Sequence, residues 1–107
     1  MPNKTGSQYH HEAQQRLLAV IKALRGREFD GITASTIALT VGTSPANITR
    51  DLANLAEAGF AERLPGAEDR WRLGAQLVQI AQQYQTALAR IRAQIDEMAQ
   101  RYDAGGR

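Results

Sequence analysis

Between Ala75 and Tyr102 an apolar or aromatic residue recurs alternately four and three positions apart: Leu77, Ala81, Tyr84, Leu88, Ile91, Ile95, Met98 and Tyr102. A mean step of about 3.5 residues keeps all eight side chains on one seam of a helix, the pattern of a helix that pairs with another. In heptad terms Ala81, Leu88, Ile95 and Tyr102 take the a positions, and Leu77, Tyr84, Ile91 and Met98 the d positions. The flanking Gln85, Ala87, Arg92, Gln94, Ala99 and Arg101 offer few opposite charges, so parallel and antiparallel pairing both stay open. Leu77, Val78, Ile80 and Ala81 are apolar almost all round, and these first turns are expected to pack on the preceding domain. The remaining length is expected to require a second chain, through Tyr84, Leu88, Ile91, Ile95, Met98 and Tyr102, because a helix of about 42 Å outreaches a small domain.

What precedes this helix is enough for one small core. The chain has 107 residues, 43% of them hydrophobic and 22% charged. It contains no cysteine, which excludes disulfides, thiolate zinc sites and cysteine nucleophiles. The strongest apolar run, Leu17 to Ile21, is far short of a membrane span, and the polar N-terminus lacks the apolar stretch of a signal peptide. A cytoplasmic protein without membrane contact is expected. His10, His11 and Glu12 suggest a metal site only superficially, since adjacent helical side chains diverge and no further His or Cys exists to complete a shell. No metal and no cofactor are expected.

The net charge of +2 hints at a polyanion partner, but its distribution is uneven. Residues 1–30 carry five basic and three acidic groups, residues 31–74 four and five, and residues 75–107 four and three. Eleven of the thirteen basic residues are arginine, which suits bidentate contact with phosphate and guanine.

Residues 1–10 read as a flexible arm. From His11 to Arg25, Leu17, Leu18, Ile21 and Leu24 recur at helical spacing, and Gly26 supplies a stop. A second helix is expected after the capping Thr33, through Ile37, Ala38 and Val41 to Gly42. Ser44 followed by Pro45 starts a third, whose stripe of Ile48, Leu52 and Leu55 runs to Gly59. Two helices joined at Gly42 make a helix-turn-helix. Phe60–Leu64 and Arg70–Leu73, separated by Pro65 to Asp69, read as a β-hairpin, and Gly74 releases the chain into the long helix. The expected fold is therefore mainly α: a winged helix-turn-helix over residues 11–74, a dimerisation helix over 75–102 and a disordered tail over 103–107.

The second helix of such a motif lies in the major groove. With Ile48, Leu52 and Leu55 facing inward, Ala46, Arg50, Ala53 and Glu57 point outward, flanked by Asn47, Thr49 and Asn54. Small residues allow close approach, Asn47 can read adenine, Arg50 guanine or phosphate, and the Thr49 methyl can meet thymine. In the hairpin, Trp71 and Leu73 face the core while Arg70 and Arg72, with Arg63 on the partner strand, are placed to hold phosphates. The candidate DNA-contact set is thus Thr33, Ser44, Ala46, Asn47, Thr49, Arg50, Asn54, Arg63, Arg70 and Arg72. The plainer alternative is a solvated helix face, with the arginines paired to Glu62, Glu68 and Asp69.

These residues resemble the N-terminal DNA-binding domain of the IclR family of bacterial transcription regulators. The resemblance is carried by Ile32-Thr33, Ile37-Ala38, Gly42, Ile48-Thr49-Arg50, Leu52, Leu55, Ala58-Gly59-Phe60 and, most distinctively, Arg70-Trp71-Arg72-Leu73-Gly74. It covers roughly residues 12–90 and runs without a gap from Ile32 to Phe60. Two positions depart: Thr43 follows the turn glycine where the family prefers an apolar residue, and Asp51 stands beside Leu52 where two leucines are common. Either is expected to loosen the third helix or to mark a more distant relative. The family continues into an effector-binding domain, whereas this sequence stops at Arg107, so a stand-alone reader without small-molecule sensing by that route is expected.

The resemblance and the residues together imply a homodimeric, sequence-specific reader of double-stranded DNA, a transcriptional regulator acting as a repressor by operator occupancy. No grouping of nucleophile, base and acid is present, and an enzyme is not expected. The rival is a winged-helix adaptor that binds protein and assembles through its last helix, a reading that the neutral segment 31–74 keeps alive.

Overall fold

The computed structural model describes residues 8–105 and orders them as four helices and three short strands. In chain order these are α1 (Glu12–Ala23), β1 (Ile32–Thr33), α2 (Ala34–Val41), α3 (Pro45–Glu57), β2 (Ala61–Leu64), β3 (Ala67–Leu73) and α4 (Ala75–Gly105). Most of the expected arm, residues 1–7, lies outside the described residues, as do residues 106 and 107 of the expected tail.

The helix boundaries follow from local chemistry. Thr33 Oγ1 accepts the Thr36 N–H at 3.2 Å to start α2, and Ser44 Oγ accepts the Asn47 N–H at 3.2 Å to start α3, with Pro45 in the first turn. Gly42, at φ 86°, ends α2 and turns the chain into α3. At the other end of α3, the Gly59 N–H donates to Ala56 O at 3.0 Å and the Phe60 N–H to Leu55 O at 2.8 Å, a Schellman closure with Gly59 in the left-handed region.

The core forms where α1, α2 and α3 meet the sheet. Ile48, Leu52 and Leu55 are buried, as the spacing requires, and Ile37, Ala38, Ile32, Ala61 and Trp71 complete the cluster. The inward line of α1 differs from expectation: Val20 and Leu24 are fully buried, Leu17 and Ile21 flank them, and Leu18 is half exposed. Five consecutive apolar residues from Leu17 to Ile21 leave the helical phase ambiguous, and packing against α2 and α3 selects Val20.

The sheet has three strands rather than two, in the order β1-β3-β2 and antiparallel throughout. Ile32 pairs with Trp71 on one side of β3, and Arg63 pairs with Trp71 on the other. The five-residue loop expected between the hairpin strands shrinks, because Leu64 already pairs with Ala67 and leaves only Pro65 and Gly66 to reverse the chain. A bulge between Arg63 and Leu64 absorbs the change of register.

The chain divides into two compact units between Leu77 and Val78. The first, the head, extends past the expected boundary at Gly74, since the Gln76 N–H donates to Gly59 O at 3.0 Å. At the start of α4, Leu77 is half-buried and belongs to the head unit. The expected tail is also corrected: residues 103–105 remain helical, since neither Asp103 nor Ala104 breaks a helix. Among the described residues no helix is long and apolar enough to cross a membrane.

Candidate nucleic-acid interface

α3 is fixed from behind by its apolar stripe, so its opposite face is presented rigidly. Ala46, Thr49, Arg50, Ala53, Asn54 and Glu57 are all exposed on it, and Asn47 is half-buried. The short polar side chains are partly committed within the helix. Asn47 Nδ2 donates to Thr43 Oγ1 at 2.9 Å, Thr49 Oγ1 to Pro45 O at 3.0 Å, and Asn54 Nδ2 to Arg50 O at 3.1 Å. Arg50 differs from them, because its guanidinium has no partner among the described residues. Thr33 and Ser44 sit at the exposed starts of α2 and α3, where their hydroxyls act as helix caps.

The wing arginines are turned toward the protein. Arg72 Nε donates to Glu62 Oε2 at 2.7 Å and its Nη1 to Glu28 O at 3.2 Å, tying β3 to β2 and to the loop before β1. Arg63 lies over the Trp71 ring, 4.4 Å from its centroid, and donates to Glu68 O across the hairpin. Arg70 is held most loosely, by a 3.4 Å bond from Nη1 to Asp30 O. Each guanidinium has five N–H donors and keeps some for an outside acceptor, but all three brace the sheet first.

The two departures from the IclR pattern both make hydrogen bonds that hold α3. Thr43 is the acceptor that holds Asn47. Asp51 is buried and receives a two-pronged grip from Arg16 of α1, with Nε to Oδ2 at 2.6 Å and Nη2 to Oδ1 at 2.9 Å. These hydrogen bonds, and the carboxylate charge behind them, raise the Arg16 pKa above its ordinary value. The sequence carried half of the signal: Asp51 falls three residues after Ile48 and four before Leu55, on the buried stripe, where a carboxylate needs a cation. Arg16, 35 residues away, had no such mark.

The two halves of this pair are unequal. The side chain of Asp51 is 6% exposed and that of Arg16 26%. Arg16→Met leaves a buried carboxylate alone, whereas Asp51→Asn leaves a guanidinium that reaches water and an amide oxygen that still accepts. Arg16→Met is therefore expected to lower the midpoint of a circular-dichroism melt further than Asp51→Asn. The reverse order would show that the pair does not tie α1 to α3.

No family model matches the sequence, and none of the curated proteins does. Solved structures do match. An IclR transcriptional regulator from a Silicibacter species is 28% identical over 69% of this chain and 28% of its own, with a TM-score of 0.58. An IclR regulator from Alicyclobacillus acidocaldarius is 24% identical over 67% of this chain and 28% of its own, at 0.59. The Zalpha domain of Carassius auratus PKZ, solved in complex with Z-DNA, is 24% identical over 59% of this chain and 98% of its own, at 0.51. The head is thus a winged helix of the kind these proteins share, and the chain spans just over a quarter of the length of the two IclR regulators.

Proposed function

We propose that the chain binds double-stranded DNA sequence-specifically as a homodimer and regulates transcription from the cytoplasm, repressing by occupancy of an operator. The observation that carries this reading is Arg50: a long cation without a partner among the described residues, at the middle of the exposed face of a helix anchored by Ile48, Leu52 and Leu55. A helix of this length and placement suits the major groove, with Ala46 and Ala53 allowing close approach. Its similarity to an IclR regulator supports the same reading. Pairing through α4 is supported by its exposed seam, in which Ile91, Ile95 and Met98 remain about half accessible and Tyr84 and Tyr102 more so. No small-molecule effector or cofactor is needed for occupancy.

A protein-binding adaptor is the competing reading, favoured by the near neutrality of residues 31–74 and by the inward engagement of Arg63, Arg70 and Arg72. Fluorescence anisotropy of labelled duplexes, including DNA flanking the protein's own gene, separates the two. DNA reading predicts an affinity that falls steeply between about 50 and 200 mM salt. Arg50→Ala is expected to weaken it roughly ten- to hundredfold. Absence of binding to every duplex at low salt would overturn the DNA reading and count heavily for the adaptor.

A further inference from the structure

Besides Arg50 on α3, three more cations of the head are unpaired among the described residues, and they gather elsewhere. Lys22 and Arg25, at the end of α1, and Arg27, in the following loop, are exposed, and their side chains have no partner among the described residues. All three line one groove of about 420 Å³ between α1 and the end of α2, floored by Ala23, Ile32 and Val41. Among the described residues no acidic one lines it. A second hollow of about 330 Å³ shares Ala19 and Val41 with it and reaches Arg16, the partner of Asp51 in α3.

We propose that this groove binds a small amphipathic organic anion, a carboxylate with an aliphatic or aromatic body. The apolar side chains take the body and the three cations take the charge, the division of labour found in ligand sites, here in an open groove. A DNA backbone gains nothing from an apolar floor, and a partner protein needs a wider contact than this groove supplies. The adjoining hollow couples the site to α3: Ala19 and Val41 belong to both walls, so an occupant that shifts α1 against α2 moves Arg16, whose guanidinium grips Asp51 beside Arg50.

The test is an amide NMR titration of the full chain with decanoate below its micelle concentration, with decanol as the neutral match. Saturable shifts are expected at Ala19, Ala23, Ile32 and Val41, accompanied by shifts at Arg16 and Asp51. The combined substitutions Lys22→Gln, Arg25→Gln and Arg27→Gln, all at exposed positions, are expected to weaken decanoate at least about tenfold, as is replacement of decanoate by decanol. Shifts that are absent, confined to α4 or indifferent to charge on either side would overturn the proposal. Displacement of decanoate by duplex in the Arg50→Ala chain, or the same amides shifting with protein concentration alone, would assign the groove to a phosphate backbone or to a second copy and overturn it equally. Groove shifts that leave Arg16 and Asp51 unmoved would overturn the coupling to α3.

Discussion

Replacing Gly74 with alanine is expected to destabilise the head by about 3 kcal/mol or more, enough to unfold a marginal domain of this size. A Cβ at this position would stand 2.3 Å from the carbonyl oxygen of Gly59 and 2.8 Å from both its carbonyl carbon and the nitrogen of Ala61. All three are backbone atoms. They cannot swing aside as a side chain would, because the same segment is bonded twice: Gly74 N–H to Phe60 O at 2.9 Å, and Gln76 N–H to Gly59 O at 3.0 Å. Relief would require separating the end of β3 from the start of β2, and with it the packing of Trp71 and Ala61. Urea unfolding followed by tryptophan fluorescence reads the loss, since Trp71 is the only tryptophan. Gly66→Ala serves as the comparison. Gly66 has φ 82° and nothing within 4 Å of an added Cβ, so only the left-handed conformation is penalised, by about 1–2 kcal/mol. Equal effects at the two glycines would show that close backbone approach is not what requires Gly74.

Truncation after Gln85 is expected to leave a folded monomer whose affinity for a duplex carrying two half-sites falls by about 10²–10⁴. The head unit ends at Leu77, so its core is intact in the shortened chain. What is removed is the seam from Leu88 to Tyr102, and with it, under the proposed pairing, the second head held at high effective concentration. Affinity for a single half-site is expected to stay unchanged, and the salt dependence on the paired site to fall to about half, as half the phosphate contacts are lost. Light scattering gives the mass independently of DNA. A shortened chain that remains dimeric would remove α4 from its assigned role, whatever the binding data show.

How far these features could be read from the sequence depended on the range of the interactions behind them. Thr33, Ser44-Pro45 and Gly59 act within a few residues of themselves, and the starts and ends they signal are found in place. The stripe of Ile48, Leu52 and Leu55 was legible because polar residues separate its members. In α1, where Leu17, Leu18, Val20 and Ile21 crowd together, periodicity alone could not tell which side faces inward. β1 is two residues long, too short for alternation to register, and exists because β3 offers it an edge. Of the arginine partners, Glu62 and Glu68 were offered by the sequence as the plainer alternative, and they do engage Arg72 and Arg63. Least legible were Glu28 and Asp30, which receive Arg72 and Arg70 through carbonyl oxygens that every residue possesses and no sequence distinguishes.

The inward engagement of those three arginines bears on how such a protein would respond to its own abundance. With its wing arginines engaged inward, a single head holds an operator less tightly than a pair that reaches both half-sites, so under the proposed assembly the paired form is the one that occupies it. Where most chains are single, the paired form rises as the square of the total, and halving the supply of chains cuts it about fourfold. Occupancy then has a threshold set by synthesis and dilution, and a growing cell would cross it without any signal molecule.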